Sequence, residues 1–394
     1  MKKSIIAAGV AGLMALSMTA CSNGGGASAT TGAPTTTAAG AATTGAAPAA
    51  GGTIGVAMPN KTSSRWVADG NAVKAGLEAA GYQVDLEYAA DDIPTQTQQI
   101  DQMITKGVKC LIIASIDGTA LTSQLQAAAD AHIPVIAYDR LIRDSPNVDF
   151  YVSFDNYKVG VAQATSLLYG LGLTNKDGSK ASNPPAGPLK VELFAGSSDD
   201  NNATFFWNGA IDTLKPYLTD GTLVVGSGQD QFGQAAIMRW LLETAQTRMD
   251  NLLTASYGGN GAGLKGVLSP YDGISRGIIN ALQNVGMGPK ISDGLPIVTG
   301  QDAEIESVAL INKDVQFSTI FKDTRKLADQ AVVAAKAFLE GKTPTANNTK
   351  DYDNGVKVVP SMLLEVDTIN KEDIQSKLID SKYWTQAQVD SGQA

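Results

Sequence analysis

Arg65-Trp66, Asp139-Arg140, Asp199-Asp200-Asn201-Asn202, Gln229, Tyr271-Asp272, Gln301-Asp302 and Lys322 are the residues of this chain whose types could do chemistry. Carboxylates accept hydrogen bonds, guanidinium and ammonium groups donate them, and side-chain amides do both. Arranged around one small molecule, such a set suits a polyol, whose hydroxyls need donors and acceptors together. An aromatic ring such as Trp66 could cover an apolar C–H face. Singly, each residue has a plainer explanation. Asp139 and Arg140 could form a structural ion pair, and Trp66 could be a core aromatic. One residue of the run 199–202 could cap a helix, and Asp302 could do the same. Asp272-Gly273 is turn chemistry, and Lys322 could be a solvated charge. The case rests on recurrence, because each group follows an apolar run that reads as a strand.

Other chemistries find little support. The chain has one histidine, His132, and two cysteines, Cys21 and Cys110. That leaves no basis for a His/Cys metal site, a disulfide framework or a histidine-assisted nucleophile. No glycine loop of the phosphate-cradling kind is present, so no cofactor is expected. The pair Asp139 and Asp302 satisfies the formal requirement of a glycosidase, but both serve equally well as ligand acceptors, and a non-enzymatic binder is the simpler reading. The net charge of −9, with no basic cluster, argues against a nucleic-acid partner.

The elements that must position these groups alternate. Strands are expected over 53–58, 83–88, 111–113 and 133–137, with helices from Trp66 to about 80, from Pro94 to 107 and over 119–131. The segment 137–160 (AYDRLIRDSPNVDFYVSFDNYKVG) carries a strand end, the Asp139-Arg140 pair, a turn and a second strand, 149–154. The pattern then restarts. Helices are expected over 158–169, from 203 to about 218, over 234–249, 275–285 and 304–311, with strands over 190–194, 222–226, 266–269, 296–299 and 316–321. Repeated strand–helix units call for parallel, doubly wound sheets with ligands at the carboxyl ends of the strands.

The ends of the chain have other roles. Residues 1–21 have a basic start (Lys2, Lys3), an apolar stretch and small residues before Cys21, the organisation of an export signal. Met18-Thr19-Ala20-Cys21 resembles a bacterial lipobox, which implies lipidation of Cys21 and a membrane anchor. Residues 22–51 are mostly Gly, Ala, Thr and Pro without charge, a composition that reads as a flexible tether. An export signal in place of a basic helix-turn-helix also disfavours a transcriptional regulator.

The segments AYDRLIRDSPNVDFYVSFDNYKVG, DDNNATFFWNGA, SPYDG, VTGQDAE and FKDT, in this order, resemble the sugar-binding proteins of bacterial ABC importers, within the xylose-binding and multiple-sugar-binding branch. The late segment 351–360, DYDNGVKVVP, is similar to the multiple-sugar receptors. The resemblance implies a type I periplasmic-binding-protein fold: α/β, two Rossmann-like doubly wound lobes joined by a three-strand hinge. It implies a first lobe of 52–154 plus 323–358 and a second of 155–322 plus 359–394, with crossings near 153–156, 321–323 and 359–362. By the same resemblance Arg65, Trp66, Asp139 and Arg140 reach the sugar from the first lobe. Asp200, Asn202, Tyr271, Asp272, Asp302 and the hinge residue Lys322 complete the set. Where xylose binders stack a tryptophan, this chain has the Gln229 region, leaving Trp66 or Phe206 as the stacking ring. Where the broader family has Asn before Asp, it has Tyr271-Asp272. The implied function is capture of a monosaccharide by a monomer and delivery to an ABC permease. A sugar-sensing co-receptor for chemotaxis or a sensor kinase is the alternative.

Overall fold

The computed structural model describes residues 51–394. The expected signal segment, Cys21 and nearly all of the tether lie outside the described residues. Within them the chain forms two parallel sheets, each covered by helices on both faces, so the α/β doubly wound expectation is met.

The first sheet has the order β11-β5-β4-β3-β1-β2, built from β1 (Thr53–Met58), β2 (Gln83–Tyr88), β3 (Leu111–Ile113), β4 (Val135–Tyr138), β5 (Phe150–Phe154) and β11 (Ser361–Leu364). All its pairings are parallel. The central strands β3, β4 and β5 are buried throughout, as strands covered on both faces must be. One face packs Ile54, Val56, Ile112 and Val152 against α1 (Ser64–Ala79) and α10 (Thr324–Leu339), through Val73, Leu77, Leu327 and Ala331. The other packs Leu111, Ile113, Val135 and Tyr151 against α2 (Ile93–Thr105) and α3 (Thr122–Asp130), through Ile100, Met103, Leu125 and Ala128. Cys110 is buried in the first of these cores, and burial pushes its thiol above the ordinary range, so it behaves as a small apolar residue.

The second sheet has the order β7-β6-β8-β9, from β6 (Leu189–Leu193), β7 (Leu223–Val225), β8 (Leu264–Leu268) and β9 (Ile297–Val298). It lies between α4 (Asn156–Gly170) and α5 (Asn201–Thr219) on one side, and α7 (Leu242–Ser256) and α8 (Asp272–Asn284) on the other. A short antiparallel pair, β10 (Thr319–Phe321) with β12 (Asp367–Ile369), joins it through the bridge between Gln301 and Ile320.

The chain passes between the lobes three times. Two passages share one local design: a strand, then an aspartate, then a helix. Asp155 accepts from the Lys158 N–H at 3.1 Å and caps α4. Asp323 accepts from the Arg325 N–H at 3.2 Å and caps α10. Each cap satisfies an orphan amide and sets the helix direction at the crossing. The third passage, expected near 359–362, lies at Glu365-Val366. Ser361–Leu364 still pairs with β5 in the first sheet, and the next strand, β12, belongs to the second. The apolar run did not show which sheet would take it, because both offered an open edge.

The expected helix over 234–249 is also interrupted. A four-residue turn, α6 (Phe232–Ala235), ends where the chain becomes extended. The Ala195 N–H donates to the Ala235 carbonyl at 2.9 Å, and the Ile237 N–H donates to the Ala195 carbonyl at 3.1 Å. Arg239 and Trp240 then adopt left-handed backbone, φ 58° and 59°. The helical period of the sequence continues through the break, and only pairing to a distant strand end produces it.

Helices α4 and α5 approach closely at Gly160, where an added Cβ would lie 1.9 Å from the Phe206 carbonyl oxygen. Backbone cannot yield as a flexible side chain would. Gly160→Ala is therefore expected to lower the unfolding free energy by about 2–3 kcal/mol in urea denaturation. An unchanged value would mean that the two helices do not pack this closely.

Candidate functional site

The carboxyl ends of the strands of both lobes face a single cleft. It is lined by Arg65, Trp66, Asp139, Arg140, Asp200, Asn202, Phe206, Arg239, Trp240, Tyr271, Gln301, Asp302 and Lys322, together with Asn60, Thr62, Ser63 and Arg276. Strand ends position most of the first-lobe groups. β4 delivers Asp139 and Arg140, and the turn after β1 leads into α1 with Arg65 and Trp66 in its first turn. From the second lobe, the start of α5 supplies Asp200 and Asn202. The turn after β9 supplies Gln301 and Asp302, and Lys322 directly follows β10.

Charges alternate across the cleft. Arg65 Nη2 meets Asp139 Oδ1 at 2.5 Å, its Nε lies 3.1 Å from Asp69 Oδ2, and its Nη1 lies 3.8 Å from Asp302 Oδ1. Lys322 Nζ lies 2.9 Å from the same Asp302 oxygen. Arg140 Nε lies 3.1 Å from Asp200 Oδ2, so this pair too spans the two lobes. The guanidiniums of Arg65 and Arg140 lie 4.7 and 5.2 Å from the centre of the Trp66 ring, which holds both by cation–π attraction. Lys322 sits between Phe154 and Phe206, at 5.8 and 5.6 Å from their ring centres.

Asp139 has left-handed backbone, φ 60°, a strained state for a non-glycine residue that persists only where its surroundings impose it. Its N–H donates to the Val152 carbonyl at 2.8 Å. Its carbonyl accepts from Tyr151 Oη, Ser153 Oγ and Asn202 Nδ2 at 2.7, 2.9 and 2.8 Å. Asn202 therefore lines the cleft while its amide ties α5 to the end of β4, and its Oδ1 accepts from Asn156 Nδ2 at 3.0 Å and lies 3.0 Å from Tyr151 Oη.

Burial and neighbouring charge separate the carboxyls. Burial pushes Asp69 up to about 7, against the pull of Arg65 and the hydrogen bond from Tyr138. Burial would raise Asp139 as well, but Arg65 and Lys322 outweigh it and hold Asp139 at about 2. Asp200 is raised by burial, opposed by Arg140. For Arg65 the three carboxylates exceed the burial penalty and lift it well above its usual value. An ionised Asp139 suits the acceptance of hydroxyl protons. It is the opposite of the raised carboxyl that a glycosidase uses to protonate a leaving group.

Two readings of individual residues change. Asp272 does not line the cleft: it is fully buried, and its carboxylate accepts from the Glu304 N–H, Gln316 Nε2 and Thr319 Oγ1. Its neighbour Tyr271 does line the cleft, and its Oη donates to Glu304 Oε1 at 2.8 Å. The ring missed in sequence is Trp240. It stands 6.3 Å from Phe206 and 6.0 Å from Tyr271, edge-on to both, and forms an aromatic wall with them. It lies over Gly196, where an added Cβ would be 1.9 Å from the indole. Arg239, also missed, pairs with Asp199 at 3.1 Å. Both sit in the break of the expected helix, and nothing in the local sequence marks them. Gln229 is not among the lining residues: its Oε1 accepts from Arg248 Nη2 at 3.0 Å.

A two-lobed α/β receptor with a polar cleft closed by cross-lobe ion pairs is the class that this geometry defines. The chain belongs to the periplasmic binding protein domain family, which matches residues 54–343. The multiple sugar-binding periplasmic receptor of Rhizobium radiobacter is 54% identical over 333 residues, 84% of this chain and 91% of that protein. The D-xylose-binding periplasmic protein of Escherichia coli K12 is 33% identical over 326 residues, 83% of this chain and 89% of that protein. Among solved structures, an ABC transporter solute binding protein from Clostridium phytofermentans with bound β-D-glucose superposes with a TM-score of 0.79 at 43% identity, over 86% of this chain and 99% of that one. A carbohydrate transporter solute binding protein from Chloroflexus aurantiacus, in complex with D-glucose, gives 0.74 at 33% identity, over 85% and 97%.

The split between Asp69 and Asp139 gives a pH prediction. Asp69 holds its proton more tightly folded, at about 7, than unfolded, at about 3.9. Its contribution to stability is therefore full below about pH 4 and is lost as pH rises through 7. Asp139 acts in the opposite sense: its contribution is present above about pH 4 and is lost as pH falls toward about 2. Urea unfolding at pH 5 and pH 7 should show Asp69→Asn losing less stability over this interval than the parent. The difference is bounded by about 1.4 kcal/mol per pH unit. Identical slopes would show that Asp69 is already ionised at pH 5.

Proposed function

We propose that the protein is an extracytoplasmic receptor that captures a monosaccharide, an aldopentose or aldohexose such as xylose, glucose, galactose or arabinose, between its lobes and delivers it to an ABC permease. One observation carries this reading above the rest. The inner cleft alternates acidic acceptors (Asp139, Asp302) with basic donors (Arg65, Arg140, Lys322) beside the Phe206–Trp240–Tyr271 wall. A pyranose needs both: each hydroxyl can accept from one group and donate to another, while a C–H face meets a ring. The relatives named for sugars and the solved neighbours holding glucose support the same ligand class.

The mechanism is binding without chemistry. Arg65, Asp139 and Arg140 grip the sugar from the first lobe, and Asp200, Asn202, Tyr271, Asp302 and Lys322 from the second, with Trp66 and Trp240 as packing surfaces. A ligand touching both lobes favours the closed state by its differential affinity for it, and the closed form is the one that docks on the permease. Asp272 contributes from behind the cleft. The receptor works as a monomer, held at the membrane by lipid on Cys21.

Calorimetric titration of the purified protein with xylose, glucose, galactose, arabinose and fructose tests the ligand class. Dissociation constants of about micromolar or below are expected for several aldoses. Asp302→Ala should weaken them on the order of 100-fold, because Lys322 is left buried without its counter-charge. Absence of heat with every sugar would overturn the reading. The anchor is tested separately: Cys21→Ser should abolish fatty-acid labelling and move the protein from membrane to soluble fractions, and unchanged fractionation would refute it.

A further inference from the structure

The buried carboxylate at the start of α8 organises the loop that carries the second-lobe acids. Asp272 Oδ2 accepts from the Glu304 N–H at 2.9 Å and from Thr319 Oγ1 at 3.1 Å, and Oδ1 accepts from Gln316 Nε2 at 2.9 Å. Thr319 Oγ1 in turn accepts from the Ala303 N–H at 3.0 Å, and the Asp272 N–H donates to the Gln301 carbonyl at 3.0 Å. The turn from 300 to 304 is thus held from one side by a single carboxylate and the hydroxyl bound to it. Its backbone needs holding: Asp302 and Ala303 both have positive φ, 94° and 50°, which non-glycine residues leave when nothing constrains them.

What this turn presents matters on both sides of the cleft. Asp302 faces Lys322 and Arg65. Glu304 reaches the other lobe, where Ser63 Oγ donates to its Oε1 at 2.9 Å. Tyr271 Oη and Arg276 Nη2 hold it from its own lobe, both at 2.8 Å. We propose that Asp272 is a positioning residue for the receptor: by fixing the 300–304 turn it places Asp302 for the sugar and Glu304 for lobe closure, and sets affinity without touching the ligand. The proposal rests on the monosaccharide reading above for its binding arm only.

The test uses Asp272→Asn, with Leu282→Ala in the buried face of the same helix as a control that lowers stability without approaching the turn. The asparagine keeps one acceptor but turns an NH2 toward the Gln316 amide, so the cage loses a bond. In sugar-free protein, amide hydrogen exchange at Ala303 and Glu304 should rise about tenfold or more in Asp272→Asn and much less in the control. For the aldose bound best by the parent, the dissociation constant should rise about tenfold in Asp272→Asn and stay within roughly twofold in Leu282→Ala. Should Asp272→Asn fail to fold, Thr319→Val removes the bridging hydroxyl and is expected to move both readouts in the same direction. Unchanged exchange at the turn, or equal loss of affinity in the control, overturns the proposal. If the parent bound no aldose, the sugar reading would fall on that result alone, and the exchange rates would still decide the role of Asp272.

Discussion

A guanidinium with 6% exposure cannot remain charged inside a protein without counter-charges, and Arg65 has three. Asp69 lies one turn along the same helix, Asp139 at the end of a neighbouring strand, and Asp302 in the other lobe. Each reports a different level of structure: local, within the lobe, and between lobes. The same constraint explains the opposite behaviour of the first two acids. Asp139 is also near Lys322 and stays ionised, while burial raises Asp69 despite the hydrogen bond it accepts from Tyr138. The third partner, Asp302, ties the two lobes together. Across the cleft a cation of one lobe meets an anion of the other on two sides, at Arg65–Asp302 and at Arg140–Asp200.

The scaffold serves that arrangement through a property of parallel sheets. All strands of one sheet end on the same side, so residues far apart in sequence are gathered at one edge without any of them leaving a strand end or a helix start. Two sheets facing each other double the set. The three crossings then hold these edges together, with aspartate caps at two of them turning the chain directly from strand to helix. Strained backbone recurs along the cleft. Asp139, Asp302, Arg239 and Trp240 all have positive φ, and around Asp139 and the 300–304 turn backbone hydrogen bonds impose it.

Much of this was legible beforehand because it has a local signature. Alternating apolar runs and helical periods marked every strand of the two sheets except 361–364, and polar groups following those runs marked the cleft. Arg65, Trp66, Asp139, Arg140, Asp200, Asn202, Tyr271, Asp302 and Lys322 all line it. Where the reading changed, the deciding contact was distant. Trp240 and Arg239 lie in a stretch of unbroken helical period, and the chain leaves the helix there because Ala195 offers a strand end to pair with. The strand 361–364 went to the first sheet because β5 presented its edge.

Asp272 shows the division most clearly. An acid followed by glycine after an apolar run reads the same whether its carboxylate points into the cleft or behind it. Residue type and periodicity determined that the chain would build two doubly wound lobes and would place carboxylates, amides and cations at their strand ends, because those preferences act over a few residues. Which oxygen faces a ligand and which caps a turn depended on partners such as Gln316 and Thr319, more than forty positions away in the chain. Only the packed structure brings those donors to the carboxylate, so only it could decide that Asp272 shapes the site while Asp302 faces it.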